Sequence, residues 1–195
     1  EQFEELRVYF ASNIHVLLYR GNNEKGCSEK FRYFYTSKGK YICTCDDDLI
    51  YPADFLARLI EVSEKYQAVV SAHGRTLLNR KISNYYKEKK AVYHCLRDVE
   101  NDVQVDIVGS GCTLIPRTLI ADISDLYDYV HHPNMSDIYL SYLAELRGVD
   151  MYAIAHKAGW LKHKEMNVND NYIFNEYKEN CPNQTEFINR FFVKS

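Results

Sequence analysis

A short apolar segment, Tyr41-Ile42-Cys43-Thr44-Cys45, runs directly into three consecutive aspartates, Asp46-Asp47-Asp48. Pro52 then opens an amphipathic pattern over 53–65, with Phe55, Leu56, Leu59, Ile60 and Val62 on its apolar side. This order predicts a strand, an acidic loop and a helix with proline in its first turn. The alternation repeats downstream. Ala68-Val69-Val70-Ser71-Ala72 reads as a buried strand ending at His73-Gly74, and 103–108 alternates before Gly109-Ser110-Gly111. A strand over 112–115, a helix over 136–147 closed by Gly148, and a strand over 151–155 follow. Upstream, the spacing predicts a short helix over 1–11, a strand over 14–18 and a helix over 28–37. Further helices are expected over 83–95 and, behind the capping-box pattern Asn183-Gln184-Thr185-Glu186, through Phe192. Strands alternating with helices predict one α/β domain over 1–195 with a largely parallel sheet.

Charge and cysteine usage narrow the function classes. A formal net charge of −3 is unlike the basic face of a nucleic-acid binder, and no apolar run approaches the roughly 20 residues that span a bilayer. The six cysteines form no Cys-x-x-Cys pair, which fits free thiols in a reduced, cytoplasmic setting. Cys43 and Cys45 stand closer together than zinc-binding cysteines usually do. The chain begins with Glu1 rather than Met, inside a helix-like and acidic segment unlike a signal peptide. A fragment is the expectation.

The aspartates sit where an open α/β sheet gathers its ligands, outside the carboxyl end of a strand. If the chain stays extended there, Asp46 and Asp48 share one side and Asp47 faces the other. Carboxylates packed so closely repel one another unless a cation intervenes, and a hard divalent ion would serve. On spacing alone the segment reads equally as an acidic cap for the next helix.

The segment Lys40-Tyr41-Ile42-Cys43-Thr44-Cys45-Asp46-Asp47-Asp48-Leu49-Ile50-Tyr51-Pro52-Ala53-Asp54-Phe55 resembles the DXD region of bacterial family-2-type glycosyltransferases, which share the GT-A fold. The likeness continues through Val70-Ser71-Ala72-His73-Gly74 and Val105-Asp106-Ile107-Val108-Gly109-Ser110-Gly111-Cys112-Thr113. It extends to Asn134-Met135-Ser136-Asp137-Ile138 and Ala158-Gly159-Trp160-Leu161, and so covers most of the chain from about Gly26. Nothing in 1–20 matches the strand, helix and strand that open such enzymes. The resemblance therefore implies a GT-A domain without its N-terminal βαβ unit, and leaves the base-reading residues unassigned.

The resemblance also assigns roles. Asp48 would bind Mn²⁺ or Mg²⁺ directly, with Asp46 in the metal shell or beside the donor ribose and Asp47 near the nucleotide. Lys30 would touch the donor, although a surface lysine reads equally well. Gly109, Ser110 and Gly111 would form the loop near donor and acceptor, where glycine lets backbone approach a ligand; a plain turn needs the same residues. Asp137 would be the catalytic base. Ser136 departs from the usual Glu-Asp pair there, and Asp137 also suits a helix start. His163, or alternatively His156, would complete the metal site. His73 and Trp160 would line the sugar-binding region, and both read equally as structural residues. The implied activity is transfer of a sugar from a nucleotide diphosphate, a UDP-sugar on family weight, to a polysaccharide or glycolipid acceptor with inversion. Its setting would be the cytoplasm or the inner face of the membrane. The rival is a non-catalytic binding remnant of the fold.

Overall fold

The computed structural model describes residues 2–13, 16–32, 34, 38–118, 132–164 and 177–192. Neighbouring residues of its central strands face opposite layers, as the pleat requires. Val69 and Ile115 enter one core with Ile138, Leu140 and Met151. Val70 and Leu114 enter the other with Phe55, Leu59 and Val62. Helices therefore cover both faces of one sheet.

The elements in chain order are α1 (Gln2–Tyr9), a 3-10 turn (Gly26–Phe31), β1 (Tyr41–Cys45), β2 (Leu49–Ile50), α2 (Phe55–Tyr66), β3 (Val69–Ser71), β4 (Gly74–Thr76) and β5 (Ala91–Tyr93). They continue with β6 (Val103–Gln104), β7 (Ile107–Val108), β8 (Cys112–Pro116), α3 (Ser136–Leu146), β9 (Met151–Ala153), β10 (Lys162–His163) and α4 (Pro182–Phe191). The main sheet has the order β1-β8-β3-β9-β6; β5-β4-β7 and β10-β2 form two smaller sheets.

The largely parallel sheet expected from the alternation is not what forms. In the main sheet β8 runs antiparallel to β1 and to β3, β6 runs antiparallel to β9, and only β3 and β9 are parallel. Parallel neighbours need a crossover, usually a helix, and the helix expected over 83–95 is absent. The Asn84 side chain instead accepts the backbone N–H groups of Tyr86 and Lys87 at 2.9 and 3.0 Å. That local bond competes with helix formation, and β5 follows in the same stretch.

Other boundaries shift for local reasons. The alternating run 103–108 splits, because β6 pairs with β9 while β7 pairs with β4. The helix expected over 28–37 is reduced to the 3-10 turn within the described residues. Residues 16–18 form no strand, and 14 and 15 lie outside the described residues. Pro52 lies ahead of α2 rather than at its first position; its carbonyl accepts the Phe55 N–H at 3.0 Å, and the N-cap Asp54 makes no side-chain cap. The pattern 183–186 lies inside α4, which starts behind Cys181 without a side-chain cap. There Thr185 Oγ instead accepts the N–H of Tyr85 at 3.1 Å, and Gln184 is buried.

The link from α2 to β3 is two residues long. Gln67 takes a left-handed conformation at φ 52°, and buried Ser63 donates its hydroxyl to Ala68 O at 2.7 Å. Among the described residues no helix is long and apolar enough to cross a membrane.

Leu114 is fully buried in β8, between β1 and β3. Leu114→Ala is expected to lower unfolding free energy by about 2–5 kcal/mol, the usual range for a leucine cavity. Urea denaturation should show a lower midpoint at unchanged slope.

Candidate functional site

The pairing of β1 with β8 carries both flanking loops to one edge. Cys45 lies opposite Cys112, and the next N–H, that of Asp46, donates to Gly111 O at 2.9 Å. Tyr51 fastens the junction: its hydroxyl donates to Gly111 O at 2.6 Å and accepts the Asp46 N–H at 2.8 Å. A Cβ on Gly111 would lie 1.9 Å from Asp46 Oδ2. A side chain there would have to displace the Asp46 carboxylate.

Lys30, on the 3-10 turn, meets Asp46 Oδ1 at 2.5 Å and lies 3.4 Å from Ser110 O. Its side chain is largely covered, whereas that of Asp46 is 45% exposed, so the carboxylate is the open member of the pair. Ser110 Oγ stands 2.6 Å from Ser136 Oγ, which in turn stands 2.8 Å from Cys27 Sγ. The Cys27 N–H donates to Asn134 Oδ1 at 3.0 Å. Gly26, at φ 52°, makes room for this, because a Cβ there would lie 2.0 Å from Asn134 Oδ1. The 3-10 turn, the glycine loop and the start of α3 are therefore one hydrogen-bonded unit.

Asp137 follows directly, half-buried in the first turn of α3. Its Oδ1 accepts the N–H of Ile138 at 2.9 Å and its Oδ2 the Tyr85 hydroxyl at 3.1 Å. Arg75 lies over the Tyr85 ring at 4.6 Å, and its Nε is buried without a hydrogen bond. Tyr51, Arg75 and Tyr85 were not singled out by the sequence. Only their contacts distinguish them from the many other aromatic and basic residues.

Asp48 sits at the entrance to β2, where the chain turns rather than staying extended. The strand alternation expected for the three aspartates therefore does not operate. Another device brings a partner to Asp48: β2 pairs with β10 so that Leu49 faces His163, and Asp48 O accepts the Lys164 N–H at 2.8 Å. Burial and the neighbouring Asp46 charge hold the Asp48 carboxyl above its usual range, and His163 opposes them. Asp47 is exposed. Two carboxylates and an imidazole are donor types that a hard divalent ion accepts, but the ligand atoms of Asp46, Asp48 and His163 are not gathered within 4.8 Å of one another. His156 points elsewhere: it is buried, with Nδ1 2.8 Å from Ile154 O.

The structure does not bring Trp160 to this group. Its Nε1 donates to Asp54 at 3.0 Å, and its ring packs by Phe55 and His156 with Arg58 at 5.0 Å. His73 lies beneath the glycine loop, since a Cβ on Gly109 would come within 2.9 Å of its own Cβ. Its ring meets His94 edge-on at 5.1 Å.

The family model of glycosyl transferase family 2 matches residues 4–124. No curated protein matches the chain. The matched stretch opens upstream of Gly26, where the quoted likeness starts. It contains Lys30, the three aspartates, His73 and 109–111, and it ends before Asp137, Trp160 and His163.

The thiol of Cys45, which directly precedes Asp46, is pushed down to about 7 chiefly by its hydrogen bond with Cys43; burial raises that of Cys27. Because the thiolate is the nucleophile, iodoacetamide should label Cys45 before Cys27, with a half-maximal rate near pH 7. A profile centred on the ordinary thiol value of about 8.5 would show that Cys43 does not stabilise the thiolate.

Proposed function

The chain belongs to glycosyl transferase family 2, and on that premise we propose that it transfers a sugar from a nucleoside diphosphate to a carbohydrate hydroxyl with inversion. Membership makes it a transferase that uses a nucleotide-sugar donor, on a GT-A fold. UDP-sugar is the proposed donor. A polysaccharide or glycolipid in a bacterium is the proposed acceptor, reached at the cytoplasmic face of a membrane. The observation that carries the reading is the hydrogen-bonded path from Asp46 through Lys30, Ser110 and Ser136 to the start of α3, where Asp137 stands. It joins an acidic loop suited to a cation with a carboxylate suited to a proton.

In this reading Asp48 and His163, with Asp46 beside them, would hold Mn²⁺ or Mg²⁺. A divalent ion there would offset charge on the departing diphosphate. Lys30 would reach a phosphate oxygen only by exchanging Asp46 for it, and Gly109 and Gly111 let the loop close on His73 and Asp46 at the edge of the donor site. Asp137 takes the proton of the acceptor hydroxyl as that oxygen bonds to the anomeric carbon and the bond to the diphosphate breaks. The Tyr85 hydroxyl and the Ile138 N–H hold its carboxylate in place. Positioning and preorganised charge supply most of the acceleration.

Ligand-induced stabilisation reads out the cation site, because binding to the native state raises its stability. Asp48→Ala should abolish the Mn²⁺-dependent rise in Tm with UDP, whereas Asp47→Ala, at an exposed position, should largely keep it. The wild-type effect should fade on acidification at a pH above that of an ordinary carboxylate, since Asp48 holds its proton longer. Equal loss in both variants would contradict the assignment.

Asp137→Asn should leave donor binding nearly intact and slow transfer by roughly a hundredfold, in line with general-base contributions. Unchanged turnover in the folded variant would reduce Asp137 to a helix-start residue. Failure of the wild-type chain to turn over any nucleotide sugar with Mn²⁺ would favour a binding remnant.

A further inference from the structure

A group of metal-binding side chains lies outside the acidic loop just described. The antiparallel register of β4 and β5 sets Gly74 opposite Tyr93. The residue before Gly74 is His73 and the residue after Tyr93 is His94, so the same register carries the two imidazoles to one end of the hairpin. Cys95 follows in a turn closed by the Arg97 N–H on His94 O at 2.9 Å. One donor atom from each of His73, His94 and Cys95 lies within 4.8 Å of the others, and no further such group of three occurs among the described residues.

We propose that His73, His94 and Cys95 bind a zinc-class ion, distinct from the hard cation expected at Asp48. Two imidazoles and one thiolate are borderline-soft donors that suit Zn²⁺ and suit Mg²⁺ or Mn²⁺ poorly. A tetrahedral zinc with bonds of about 2.1 Å to nitrogen and 2.3 Å to sulfur sets those atoms about 3.6 Å apart. Cys95 Sγ and His94 Nδ1 stand at 4.0 Å. An ion would draw them together by less than half an ångström, displacing the Leu96 N–H that His94 Nδ1 accepts at 3.2 Å.

The surroundings support the sulfur ligand. Cys95 is buried, and the Cys112 thiol is hydrogen-bonded to it from the core side. Ser71 Oγ stands 3.5 Å from that second sulfur. Such outer partners orient a ligand and tune its basicity. His94 is half-buried while the His73 imidazole is enclosed, so an ion would enter from the His94 side, and three protein donors leave a position for water. The site would also bear on the glycine loop, because His73 lies directly against Gly109 and its backbone carbonyl accepts the Gly109 N–H at 2.8 Å. An ion fixing His73 would stiffen the seat of 109–111.

The test uses the full chain, stripped of metal by a chelator that is then removed. Zn²⁺ titrated in competition with a chromophoric chelator should bind one equivalent per chain tightly. Asp48→Ala should retain that equivalent, while C95S and H94Q should each weaken it at least tenfold. Co²⁺ should give a thiolate-to-metal charge-transfer band in the wild type and in C45S, and none in C95S. Absence of the band in the wild type overturns the site, as does its persistence in C95S or its loss in C45S. Should circular dichroism show C95S unfolded, H94Q decides: at its half-exposed position, unchanged zinc affinity overturns the proposal and a tenfold loss upholds it.

Discussion

The antiparallel pairing of β1 with β8 is the contact on which the rest of the structure depends. Each strand is short, yet together they place the last residue of one opposite the first residue of the other. The two loops that follow and precede them, 46–48 and 109–111, cannot avoid meeting. Backbone hydrogen bonds perpendicular to the strands set this alignment, and the alternation of buried residues locks it, since a slip by one residue would turn both cores inside out. Tyr51 then closes the seam with a single hydroxyl shared between the loops.

Around that seam the chain distributes charge by layers. Asp46 is answered by Lys30 from inside, whereas Asp48 is left with burial and like charge against it and only an imidazole in its favour. The two carboxylates are not equivalent, though they are two residues apart. One carries an ion pair within the protein, and the other does not hold its charge as readily. On the opposite side of the glycine loop Asp137 accepts hydrogen bonds from neutral donors, with the buried Arg75 guanidinium close enough to feel its charge. In the proposed function the departing diphosphate and the attacking hydroxyl make opposite demands on the two ends of this site.

Much of this was readable from the residues. The buried strands 69–71 and 112–116, helix α2 and helix α3 follow from apolar periodicity, and the acidic and glycine loops are conspicuous in any strand-to-loop reading. The sheet direction was not readable, because the antiparallel insertion of β8 between β1 and β3 leaves no mark in the periodicity, and the bonds of Asn84 displaced only the helix expected over 83–95. The placing of His163 with Asp48 came only from the family resemblance, which left His156 as the alternative. In the structure it arises from a two-residue ribbon too short to leave a periodic trace. Trp160, expected at the sugar-binding region, is half-buried, with its indole N–H on Asp54 and its ring beside Phe55, His156 and Arg58. The pairing of His73 with His94 and Cys95 is likewise invisible in one dimension, since it follows from the register of β4 and β5.

The junction of Gly26 with Asn134 carries a consequence for substitution at either position. The amide of Asn134 occupies the space that any side chain at position 26 would need, and it accepts the N–H of Cys27 in doing so. The two positions are physically coupled across more than a hundred intervening residues: a side chain at 26 must push the Asn134 amide aside from a left-handed backbone, and a smaller residue at 134 removes the acceptor of the Cys27 N–H.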